Sequence, residues 1–101
     1  MTVRKNKIIR KEELLQVAAS MAVTVGYRNL IRDDVAREAQ VSPGLINKYF
    51  GTIGLLKKEV IKLAVKDWIP AIIAQGMAAR DPVALVAPPA LKKRAIQFMA
   101  S

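Results

Sequence analysis

Apolar residues along the chain recur at helical spacing, and no stretch alternates as a strand would. From residue 12, Leu14, Leu15, Ala18, Met21, Ala22 and Val25 fall on one stripe, predicting an amphipathic helix that Gly26 ends, with Glu12 and Glu13 in its first turn. A second, short helix is predicted over residues 31–39, with Ile31, Val35, Ala36 and Ala39 on one face. Ser42-Pro43 then reads as an N-cap followed by a first-turn proline. In the helix so started, Ile46, Tyr49 and Phe50 share a face, Leu45, Asn47 and Lys48 point away, and Gly51 stops it. Thr52 caps a fourth helix over residues 53–69, expected to bury Leu55, Leu56, Val60, Leu63 and Ala64 and to wet Lys57, Lys58, Lys62 and Lys66, with Pro70 kinking or ending it. Ile72, Ile73 and Met77 suggest a fifth helix. Asp81-Pro82 caps a short turn through Val86, and Pro88-Pro89 break the chain before an amphipathic piece over 91–99 with Lys92, Lys93 and Arg94 on one side. The expected class is all-α, without internal repeats.

Length and charge narrow the picture. The chain has 101 residues, enough for one domain with at most a small appendage. Its formal charge of +9 points to a polyanionic partner, nucleic acid or an anionic membrane surface, ahead of an acidic protein. Without His or Cys, it lacks the commonest general base, the thiol nucleophile, Cys-ligated zinc and any disulfide. Asp33, Asp34, Glu38 and Glu59 are scattered on helix surfaces where solvation explains them, so no enzyme, metal site or cofactor is expected. The apolar runs are broken well before the ~18 residues a membrane span needs, and no secretory signal follows the basic start, which places the protein in the cytoplasm. Three segments result: a basic flexible arm over 1–11 holding five bases and no acid, a compact domain over 12–66, and a less charged helical extension over 67–101.

A helix of about nine residues, a turn of about three and a second helix with a separate polar face make a helix-turn-helix, in which the first helix props the second in the major groove. Ala36 is small enough for the two helices to approach closely. With those residues in view, GYRNLIRDDVAREAQVSPGLINKYFGT, followed by an apolar-basic helix, resembles the DNA-binding domain of TetR-family transcriptional repressors, from about Lys11 to Lys66. The resemblance is carried by Gly26-Tyr27, Val35-Ala36, Ala39, Val41-Ser42, Gly44, Ile46, Tyr49-Phe50 and Gly51. It implies a TetR-like three- or four-helix domain with short additional C-terminal helices.

The resemblance further implies that Ser42, Pro43, Leu45, Asn47 and Lys48 face DNA, that Tyr49 contacts a phosphate, and that Ile46 and Phe50 anchor the helix. Side-chain chemistry agrees. Asn47 can pair bidentately with adenine, Leu45 can pack on a thymine methyl, and Lys48 can reach a guanine edge or a phosphate. Gly44 would allow close backbone approach. The basic residues Arg4, Lys5, Lys7 and Arg10 could enter a minor groove or track phosphates, and Arg32, Thr52 and Lys57 complete the expected DNA-facing set. Against these stand plainer readings: a core role for the Tyr49 ring, and a merely solvated lysine face on the fourth helix. The chain departs from the family's pattern at Gln40, where Gly is common and a left-handed backbone would cost about 1 kcal/mol. It departs also at Ile31 in place of a capping Thr, leaving Asn29 or water to satisfy the N–H groups of the second helix, and at Ile53 in place of a Lys.

Residues 67–101 are too few for the ligand pocket such regulators carry, so no small-molecule inducer is expected. Trp68, Ile72, Ile73, Met77, Phe98 and Met99 exceed what a four-helix domain needs and read as intramolecular core or a dimer seam rather than a ligand site; the seam expected for a homodimer comprises Trp68, Ile72, Ile73, Met77, Ile96 and Phe98. The function expected is a compact, sequence-specific repressor, autoregulatory in one version, that binds a palindromic operator in double-stranded DNA as a dimer. The alternative is an interaction protein that heterodimerises with a full-length regulator and modulates it. A membrane-binding role fits the packed Ser42-Pro43-Gly44 turn poorly.

Overall fold

The computed structural model describes residues 7–100, with side chains from Arg10 to Ala100. Among the described residues there are seven α-helices, one 3-10 turn and no strand, as the sequence predicts. The helices are α1 (Lys7–Val25), α2 (Arg32–Ala39), α3 (Pro43–Phe50), α4 (Ile53–Lys66), α5 (Pro70–Ala78), α6 (Pro82–Leu85) and α7 (Pro89–Ala100), with the connector turn Tyr27–Asn29 between α1 and α2.

Several boundaries differ from expectation for identifiable reasons. The first helix starts at Lys7 rather than residue 12, so the last part of the expected flexible arm is helical. Lys and Arg are good helix formers, and a run of them contains no stop signal. Arg4 and Lys5, and the side chain of Lys7, lie outside the described residues. The fourth helix ends at Lys66 rather than residue 69. Trp68 takes a left-handed conformation (φ 54°), the Ile69 amide returns to the Ala64 carbonyl at 2.9 Å, and Pro70 opens α5 instead of kinking α4. The same six-to-one closure ends α2, where Gln40 (φ 59°) precedes the Val41 amide bonded to the Ala36 carbonyl at 2.9 Å. It also ends α5, where Arg80 (φ 58°) precedes the Asp81 amide bonded to the Gly76 carbonyl at 2.8 Å. Three helices thus stop in a geometry that usually selects glycine, each with a side chain that carries some strain.

One apolar core joins α1 through α7. It includes Leu14, Ala18 and Ala22 of α1, Val35 and Ala36 of α2, Ile46 and Phe50 of α3, and Leu56, Val60, Ile61 and Ala64 of α4. Leu55, expected inside, is half exposed; Ile61 takes the buried position. Residues 67–100 complete this core. Ile72 and Ile73 are fully buried, as are Leu91 and Ala95 where α7 packs chiefly on α5. The expected dimer seam is corrected accordingly: Ile72 and Ile73 are enclosed within the monomer and Met77 packs against its core, while Trp68, Ile96 and Phe98 remain exposed.

Candidate nucleic-acid interface

The two helices α2 and α3 pack through Val35 and Ala36 on one side and Ile46 and Phe50 on the other, all nearly inaccessible to solvent. Ala36, at 1% exposure, leaves room for that approach. With Ile46 and Phe50 pinned inward, helical spacing turns Pro43, Gly44, Asn47 and Lys48 outward, and all are exposed, as is Ser42. Leu45 and Tyr49 flank this face half-buried, the Tyr49 ring lying against the core.

The start of α3 is open. Ser42 occupies the N-cap position, but its hydroxyl makes no capping hydrogen bond. Pro43 brings no N–H, and the Leu45 amide turns back to the Ser42 carbonyl at 3.0 Å. A β-carbon built on Gly44 would meet no atom within 4 Å, so the fold itself does not demand glycine there. At the far end of α3, the Lys11 ammonium sits 5.4 Å from the centre of the Phe50 ring, which holds the basic start of α1 over the end of the exposed helix. Arg10 lies beside it, half-buried.

The remaining expected contacts divide. Arg32 is exposed and paired with Asp33 at 3.2 Å, an open ion pair that costs little to exchange for a phosphate. Thr52 caps α4, its Oγ1 accepting from the Leu55 amide at 3.1 Å, with its residue exposed. Lys57 is different. Its ammonium donates to the Arg28 carbonyl at 2.8 Å and braces the connector turn, whereas Lys58, next to it, is exposed. Nor does Asn29 serve α2: its amide donates to the Val25 carbonyl at 2.7 Å, closing α1, and α2 has no side-chain cap.

Sequence reasoning missed two residues that hold this unit in place. Gln75 Oε1 accepts from the Tyr27 amide, and its Nε2 donates to the Ala22 carbonyl, both at 2.8 Å. Asp81 Oδ2 accepts from the Tyr27 hydroxyl at 2.8 Å, while its Oδ1 caps α6 by accepting from the Val83 amide at 2.9 Å. Burial, reinforced by the Asp81 carboxylate as acceptor and as negative charge, pushes the Tyr27 phenol up from 10.0 to about 12. The only available signal was that Gln75 is the single polar side chain in α5.

Among the described residues no group of three or more His, Cys, Asp or Glu is placed to hold a metal ion, and no helix is long and apolar enough to cross a membrane. Compared with known families, residues 14–57 match the bacterial regulatory proteins of the tetR family. Comparison with curated proteins and with solved structures gives no match.

Proposed function

We propose that this chain, whose residues 14–57 are a helix-turn-helix DNA-binding domain of the tetR family of bacterial regulatory proteins, is a sequence-specific repressor that occupies a palindromic operator as a homodimer. The observation that carries this reading is the face of α3. Ser42, Pro43, Gly44, Asn47 and Lys48 are exposed together on a helix whose opposite side is locked by Ile46 and Phe50. An amide and an ammonium on a rigid, slim rod suit the edges of base pairs in the major groove. Lys11 sits over the end of α3 against Phe50, and Arg10, Arg32 and Lys58 on α1, α2 and α4 add charge suited to phosphates, as the net +9 favours. Repression then needs no chemistry beyond excluding polymerase from the occupied promoter.

Dimer formation is supported by the exposed apolar side chains of Trp68, in the connection between α4 and α5, and of Ile96, Phe98 and Met99 in the last turns of α7. The same side chains would serve the alternative, pairing with a longer regulator. Sedimentation at micromolar concentration, with and without operator, should show a dimer; monomer under both conditions would refute self-association.

Selection of bound sequences from a random DNA library tests the main reading. A palindromic winner with affinity falling steeply as salt rises is expected. Replacing Asn47 or Lys48 with Ala should cost about 1–3 kcal/mol and relax discrimination at one base-pair position. Equal losses on operator and random DNA, or purine N7 atoms left open to methylation under saturating protein, would contradict base reading.

A further inference from the structure

The connector turn Tyr27–Asn29 is the hinge point through which α1 hands the chain to α2, and it is held by partners distant in sequence. Lys57 of α4 donates to the Arg28 carbonyl. Gln75 of α5 accepts from the Tyr27 amide, 48 residues away. Asp81, in the loop between α5 and α6, accepts from the Tyr27 hydroxyl, 54 residues away. The Gln75 amide can satisfy both of its bonds in one orientation only, because the Tyr27 N–H must meet oxygen and the Ala22 carbonyl must meet N–H. It therefore bridges the end of α1 to the start of the connector, with the buried Leu30 two residues before α2.

The geometry points to Gln75 and Asp81 as positioning residues for DNA recognition: the α5–α6 segment fixes the angle at which α2 and α3 leave α1, so displacement of α5 is transmitted to the base-reading face through Tyr27. This rests on the DNA-binding reading above, which it deepens by giving that site a means of regulation.

The test uses the whole protein. Gln75→Met removes both amide bonds at nearly constant volume. Gln75→Glu keeps an acceptor for the Tyr27 amide, and Tyr27→Phe removes one hydroxyl while leaving the α6 cap intact. With folding verified by circular dichroism and global stability by denaturant titration, affinity for the selected operator should fall roughly tenfold in Gln75→Met and roughly threefold in Tyr27→Phe. Gln75→Glu should not restore the loss at neutral pH, because its second carboxylate oxygen would face the Ala22 carbonyl where the Gln75 Nε2 donates. Amide exchange should quicken across residues 27–41 in the weakened variants and stay unchanged in α7, whereas simple loss of stability would quicken exchange throughout. Should Gln75→Met not fold, Tyr27→Phe alone decides. Operator affinity within about twofold of the parent in folded variants, or exchange raised uniformly, would overturn the assignment. A parent protein that selects no DNA sequence would instead end the DNA-binding reading, while local exchange at 27–41 would still report on the brace.

Discussion

Gly44→Ala should make the protein more stable and a poorer DNA binder at once. Gly44 is the second residue of α3, in ordinary helical conformation, and an added β-carbon would meet nothing within 4 Å. Replacing a helical glycine with alanine removes backbone freedom from the unfolded chain, worth roughly 0.5–1 kcal/mol. For a domain of this size that gain is a rise of roughly 2–8 °C in melting temperature. If the backbone at Gly44 lies against DNA, the same methyl has no room in the complex. By analogy with overpacking in a closed interior, the cost is about 1–3 kcal/mol, or roughly 5- to 150-fold in Kd. Thermal melting of the free protein and titration of labelled operator at fixed salt measure the two effects separately. A higher melting temperature with unchanged Kd would refute close approach of this backbone to DNA. A lower melting temperature would refute the open environment of Gly44.

Other perturbations probe the frame behind that face. Gly76→Ala should destabilise by about 1–2 kcal/mol net of its helix-propensity gain, because the new β-carbon would lie 2.6 Å from Ala84 Cβ and 2.8 Å from Ile61 Cδ1. Adding Ala84→Gly should recover part of the loss in denaturant titration. Gln40→Gly should stabilise by up to about 1 kcal/mol by relieving the left-handed backbone at φ 59°, visible as a higher denaturation midpoint. The Tyr27 phenol is raised on folding to about 12, so its contribution is fully present below pH 10, the ordinary tyrosine value, and is lost as pH rises from there towards 12. Alkaline unfolding curves of the parent and Tyr27→Phe should therefore converge over that interval; a constant separation through pH 12 would contradict the shift.

Much of this frame was legible from local signals. Gly26 and Gly51 mark real chain reversals at φ 91° and φ 88°, and Pro43 and Pro82 each open a helix where their missing N–H costs nothing. The inward pair Ile46 and Phe50 fixed which residues of α3 stay outside. What could not be read was partnership across distance. An excess of apolar residues after Pro70 looks the same whether it covers a neighbour helix or a second molecule, so the sequence alone allows a dimer seam at Ile72 and Ile73, which the folded monomer encloses. Lys57 resembled its exposed neighbours on α4 because only the folded chain brings the Arg28 carbonyl beneath it. The apolar run through Trp68 and Ile69 suggested a longer α4, whereas Pro70 disfavours helical backbone in the residue before it, and Ile69 is accordingly non-helical.

The reach of Gln75 back to Tyr27 also bears on how the chain matures on the ribosome. Synthesis runs from the N-terminus at roughly 5–20 residues per second, so residues 14–57 are polymerised about 1–4 s before Gln75 is added. Throughout that interval the reading head exists without its strut. A nascent chain that has made only residues 14–57 therefore lacks the bonds from Gln75 and Asp81 that fasten Tyr27.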